Sequence, residues 1–155
     1  AIAVVHEILS QNFEEQVAFD EVADRILHMV GDVAASSGSV VARREGSFGE
    51  VPAETATALS LATTELCQNA IEHSLDSSSG NVIVRSHRTD DALVVDIVSD
   101  GKPLPEGFSL DNHRSSLGLS IVTTLMQDLG GTFTLEDNSD RVGTCARLVI
   151  PLQRL

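Results

Sequence analysis

Apolar residues recur every three or four positions in FDEVADRILHMVGDVAA, where Phe19, Val22, Ile26, Met29, Val30 and Val33 share one side of a helix predicted over 19–35. Asp20, Glu21 and Asp24 occupy its first turns, where carboxylates suit the helix dipole. AIAVVHEILS, residues 1–10, carries a shorter amphipathic pattern through Ile2, Val5 and Ile8 or Leu9. SVVARREGSF reads as a strand into a turn. Pro52 then opens a long helix over 52–75, closed by DSSSG. NVIVRSH and ALVVDIV are rich in β-branched residues and joined by the polar turn RTDD, the pattern of an antiparallel hairpin. Residues 99–116, with two prolines and four serines, predict an exposed loop. SLGLSIVTTLMQDL predicts a helix stopped at Gly130-Gly131, and TFTLEDN and TCARLVI a second hairpin across a turn that includes Gly143. Helix, strand, helix, two strands, loop, helix, two strands is the order of an α+β fold. The packing expected is a two-layer α/β sandwich, with a mixed, mainly antiparallel sheet and the helices on one face.

Composition narrows the function classes. The chain has 155 residues, 42% of them hydrophobic, enough for one domain and an appended element. Ten Lys and Arg stand against 23 Asp and Glu, a formal net charge of -13, which argues against a nucleic-acid partner or contact with an anionic membrane. Cys67 and Cys145 lack metal-ligand spacing and fit reduced, packed thiols of a cytoplasmic protein. No apolar stretch approaches the roughly 18 residues that span a bilayer, and the first residues lack the order of a signal peptide. The chain enters helical pattern directly at Ala1, as expected of a piece of a longer protein.

Three stretches carry candidate chemistry. In TELCQNAIEH, Glu65, Asn69 and His73 stand four apart and so stack along one face of a helix that otherwise buries apolar residues. They are open to two readings: internal hydrogen bonding, or a site in which the Asn carbonyl is a hard oxygen ligand for Mg2+ and the carboxylate handles a proton. Ser99-Asp100-Gly101-Lys102-Pro103 lies where an apolar strand runs out. An ordinary Asp-Gly turn is the commoner source of such a stretch, but a carboxylate there could also accept from an exocyclic amine such as that of adenine. Ser115-Ser116-Leu117-Gly118-Leu119-Ser120 is either a simple cap or a helix entry whose free N–H groups seat a phosphate.

Taken in order, these stretches resemble the GHKL ATPase superfamily of histidine kinases, DNA gyrase and heat-shock chaperone ATPases. The resemblance spans about 18–152. It is greatest to the ATP-binding domain of histidine kinases of the second HisKA type, through ELxxNAxxH, PLPEGF and LGLxIVxxLxxxLGGT. It implies binding of ATP and Mg2+, with Asn69 the Mg2+ ligand and Glu65 the acidic residue that assists proton movement. His73 would approach phosphate, the backbone of Leu117, Gly118 and Leu119 would contact phosphates at the edge of a lid, and Thr144 would support the adenine pocket. Two positions depart from the family pattern. Its adenine-reading Asp falls on Ser99, with Asp100 next, Gly101 kept and Pro103 in place of a second Gly; Ser99 or Asp100 would then read the amine. Glu72 stands where many kinases carry a basic residue, and Lys102 or Arg114 would compensate.

His6-Glu7 invites comparison with the phosphoacceptor pair of many sensor kinases, but the following Ile8-Leu9-Ser10-Gln11 lacks that motif's basic residue and proline. The resemblance instead implies that residues 1–14 end a dimerisation and phosphoacceptor helical region, and that 15–155 form the catalytic ATP-binding domain. The function it implies is transfer of the ATP γ-phosphoryl to a histidine upstream of this chain. Its partners would be the acceptor helix pair of a homodimeric parent and a response regulator. The alternatives are a degenerate GHKL domain serving as a docking or nucleotide-binding module, and a serine kinase like the anti-sigma factors.

Overall fold

The computed structural model describes residues 16–34, 40–75, 80–104, 106, 117–138 and 142–152. The expected helix over 1–10, with His6, and most of the loop over 99–116, with Arg114, lie outside the described residues.

Five strands form the main sheet in the order β2-β4-β5-β7-β6: β2 is Val40–Glu45, β4 Gly80–Arg88, β5 Ala92–Ser99, β6 Thr132–Asp137 and β7 Thr144–Pro151. β2 runs parallel to β4, and the other pairs are antiparallel. The two predicted hairpins are β4–β5 and β6–β7. Thr89 closes the first, its N–H donating to the Ala92 carbonyl while its Oγ1 accepts from the Ala92 N–H. A separate ribbon pairs β1, Gln16–Ala18, with β3, Glu50–Pro52, matching Val17 to Val51. The sequence gives no sign of this ribbon, because three residues are too few to display an alternation.

Three helices, α1 (Phe19–Ala34), α2 (Ala53–Asn69) and α3 (Leu117–Asp128), cover one face of the sheet. Phe19, Ala23, Ile26, Leu27 and Val30 carry the buried stripe of α1. Met29, expected among them, is 49% exposed: it follows Leu27 and Ile26 around the helix and falls past the edge of the buried arc. Asp20 in the first turn accepts from the Phe48 N–H at 2.7 Å and the Ser47 hydroxyl at 2.8 Å, tying α1 to the turn before β3. α2 lies between α1 and α3 and buries Ala56, Leu59, Ala62, Leu66 and Cys67. Ser60 and Thr64 donate to the carbonyls of Ala56 and Ser60 one turn earlier, whereas the buried Thr63 Oγ1 has no hydrogen-bond partner among the described residues.

The α-helical part of α2 ends at Asn69. Ala70–Ser74 continue as a π-helical turn, with the Leu75 N–H donating to the Ala70 carbonyl at 2.9 Å. The sequence reads this stretch as plain helix.

The inner face of the sheet presents Val82, Val84, Leu93, Val95, Ile97, Ala146, Leu148 and Ile150 to the helices. The opposite face carries Glu45, Arg85, Asp96 and Arg147 in one row across four strands, signs alternating. Arg85 Nε donates to Glu45 at 3.1 Å, and Arg147 holds Asp96 through two bonds of 2.7 and 3.0 Å.

Candidate functional site

Strand alternation sets the site. Val82, Ser99, Thr144 and Asp137 stand opposite one another on four adjacent strands, all on the inner face, at the end where α2 passes into its π-helical turn. Here the apolar layer gives way to hydroxyls. Ser99 is wholly buried and its Oγ lies 2.9 Å from Thr144 Oγ1. Asp100, one residue on, points the other way: its carboxylate accepts from the Asn81 backbone N–H at 2.8 Å and from Asn81 Nδ2 at 2.7 Å.

A cleft of about 380 Å³ opens beside this pair, lined by Asn69, Ala70, His73, Lys102, Pro103, Leu104, Leu135 and Thr144. Of the residues singled out in the sequence, it gathers Asn69, His73, Lys102 and Thr144, with Ser99 directly behind. Glu65 stands one turn before Asn69, half-buried, outside the lining. Gly101 is half-buried beside Lys102, Gly118 is half-buried in the first turn of α3, and Leu119 is buried in the core. Leu117 opens α3, and its side chain lies outside the described residues.

Several neighbours of the cleft are missed by sequence reasoning. The Leu104 N–H donates to Asp137 Oδ1 at 2.7 Å, and Asn138 Nδ2 donates to the Ser99 carbonyl at 3.0 Å, so the end of β6 holds both ends of the 99–104 segment. Alternation along TFTLEDN puts Phe133, Leu135 and Asp137 on one face; that was the available signal. Behind the cleft, Cys67 is fully buried in α2 and burial pushes its thiol up to about 12. Cys145 on the open face is pushed up to about 11, chiefly by burial and then by the charge of Asp96.

Residues 54–154 match the family described as histidine kinase-, DNA gyrase B-, and HSP90-like ATPase. The chain belongs to this ATPase family. Within it, sensor histidine kinase PdtaS of Mycobacterium tuberculosis is 43% identical over 157 residues, covering 99% of this chain and 31% of PdtaS. Blue-light-activated histidine kinase 2 of Erythrobacter litoralis is 30% identical over 135 residues, 86% of this chain and 37% of that protein. The chain thus spans about a third of the length of the curated relatives it matches. The histidine kinase domain of the Erythrobacter litoralis EL346 blue-light activated histidine kinase superposes with a TM-score of 0.67 at 29% identity, over 86% of this chain and 59% of that structure. Family and fold agree: this is an ATPase domain of the histidine-kinase kind, with the sandwich expected from the element order.

Proposed function

We propose that this chain is the catalytic domain of a cytoplasmic sensor histidine kinase. It would pass the γ-phosphoryl of Mg2+-ATP to a histidine on the acceptor helix pair of a homodimeric parent, for onward transfer to a response regulator. The observation that carries the reading is the cleft itself. Asn69, His73 and Lys102 offer it polar and cationic groups suited to a triphosphate, Ala70, Leu104 and Leu135 offer apolar walls suited to a purine, and a buried hydroxyl pair stands where a base edge can be read.

The donor set fits Mg2+. That ion keeps most of its waters and takes phosphate oxygens, so one or two protein oxygens suffice, and Asn69 supplies an amide oxygen in the cleft. Bound Mg2+ neutralises charge on the phosphates. Lys102 or Arg114 carries the remaining compensation that Glu72, exposed and acidic, does not give, and His73 approaches phosphate as a polar ring. The backbone at Leu117, Gly118 and Leu119 holds the phosphate side of the lid, and Gly101 lets the 99–104 segment approach the nucleotide. Glu65 assists proton movement at the incoming imidazole. Phosphoryl transfer asks the protein chiefly for such positioning and charge compensation. No helix among the described residues is long and apolar enough to cross a membrane, in keeping with a catalytic domain in the cytoplasm.

The test is reconstitution. Mixed with labelled ATP, these 155 residues should gain little acid-labile label. Adding a helix-pair segment from the same parent should direct label to that segment, and Glu65→Gln should slow the transfer more than it weakens nucleotide binding. Nucleotide binding without transfer to any acceptor segment would leave a docking module instead. Self-labelling lost in His6→Ala would move the acceptor into this chain.

A further inference from the structure

The cleft reads its base with hydroxyls, and we infer that it therefore accepts guanine nucleotides alongside adenine nucleotides. The inference rests on the nucleotide reading above and concerns which purines the same site takes.

Ser99 Oγ and Thr144 Oγ1 are 2.9 Å apart on adjacent strands, 0% and 7% exposed, and Thr144 lines the cleft. One hydrogen lies between the two oxygens, and either residue can supply it. When Ser99 donates, the Thr144 hydrogen is left to turn toward the cleft and can meet a carbonyl. When Thr144 donates, its other lone pair faces the cleft and can meet an amine. Adenine carries an amine at the ring position where guanine carries a carbonyl, so one pair serves both by turning its hydrogens.

A carboxylate in place of Ser99 would lack this freedom, since it accepts only and sets its charge against a carbonyl. Asp100, next to Ser99 in sequence, and Asp137, opposite Thr144 on β6, bond to other groups. Asp100 accepts from Asn81 at the start of β4, and Asp137 accepts from the Leu104 N–H; neither lines the cleft. The apolar lining of Ala70, Pro103, Leu104 and Leu135 contacts ring faces common to both purines and discriminates weakly between them.

Calorimetric titration of the intact chain with ADP and with GDP, each in excess Mg2+, tests this. The two dissociation constants should lie within about tenfold of one another, because neither hydroxyl of the Ser99–Thr144 pair is acceptor-only. Ser99→Asp should hold ADP affinity and weaken GDP by roughly tenfold or more, by leaving the carbonyl facing a charge. If that variant fails to fold, Thr144→Val decides: it removes the outward hydroxyl and should weaken both nucleotides by similar factors. Loss of ADP affinity alone in Thr144→Val, or a native preference for ADP of about a hundredfold, would overturn the proposal while leaving the nucleotide reading standing. Binding of neither nucleotide would remove the nucleotide reading, and this inference with it.

Discussion

Ser99 and Asp100 are neighbours with the same apparent claim to the base, and strand alternation separates them. Ser99 faces the helices and Thr144, whereas Asp100 grips Asn81 at the start of β4. Nothing in the local sequence chooses between them, since the choice depends on which strand lies alongside. If Asp100 is a clamp, Asp100→Ala and Asn81→Ala should each cost about 1 kcal/mol in chemical denaturation, and the double variant clearly less than the sum. Asn69 makes the sharper test of the metal. A thermal shift by ATP should have a Mg2+-dependent part that disappears in Asn69→Ala, and equal Mg2+-dependent shifts in the two proteins would sink the assignment. The cysteines give a pH signature. Burial raises both thiols, to about 12 and about 11, so the fold favours the protonated form. That contribution is intact below the unfolded thiol's pKa of about 8.5 and is lost as pH climbs toward the folded values. Melting temperature should therefore fall across this alkaline window, less steeply in Cys67→Ala/Cys145→Ala, and native Cys67 should resist alkylation at pH 8.

At the scale of elements, the turn between β6 and β7 governs the cleft from outside it. Gly143 has φ 127°, and a Cβ there would run into the Ser99 carbonyl oxygen, the same oxygen that Asn138 holds. Gly143→Ala should thus cost roughly 2 kcal/mol or more, from the strained backbone together with the displaced strand end, and should weaken nucleotide binding in the same titration that leaves a remote surface variant unchanged. Asp137→Ala, which frees the Leu104 N–H, should weaken nucleotide binding with a smaller loss of stability. The helices and both hairpins are legible in the sequence because each is long enough to show its period. The β1–β3 ribbon is not, and Met29 shows the limit of spacing arguments: three or four positions apart places a residue near the buried arc, while the packing of neighbours fixes the arc's width.

For the whole molecule, the sandwich with helices on one face follows from the element order, but the strand sequence β2-β4-β5-β7-β6 does not. The parallel pairing of β2 with β4 requires the chain to cross over through α2, a long-range arrangement that no local pattern encodes. Cohesion comes from the single core between sheet and helices. Leu148→Ala, at a wholly buried position of β7, should cost about 2–5 kcal/mol by denaturant titration, with nucleotide affinity kept in the folded fraction. The open face relies on its row of alternating charges, each exposed pair worth about 1 kcal/mol or less. With a net charge of -13, self-repulsion outweighs these pairs, and raising salt from about 0.02 to 0.5 M should raise the melting temperature.

The π-helical turn after Asn69 changes what the polar stripe means. Four residues of α-helix overshoot one turn by about 40°, so Asn69 stands that far round from Glu65, and an uninterrupted helix would carry His73 to about 80°. In the wider turn of Ala70–Ser74 the same four steps fall short of a revolution, and the second rotation is reversed. His73 comes back toward the phase of Glu65 and opens onto the cleft that Asn69 also lines. The straight line of Glu65, Asn69 and His73 that four-residue spacing suggests is thus kept straight by the helix ceasing to be α.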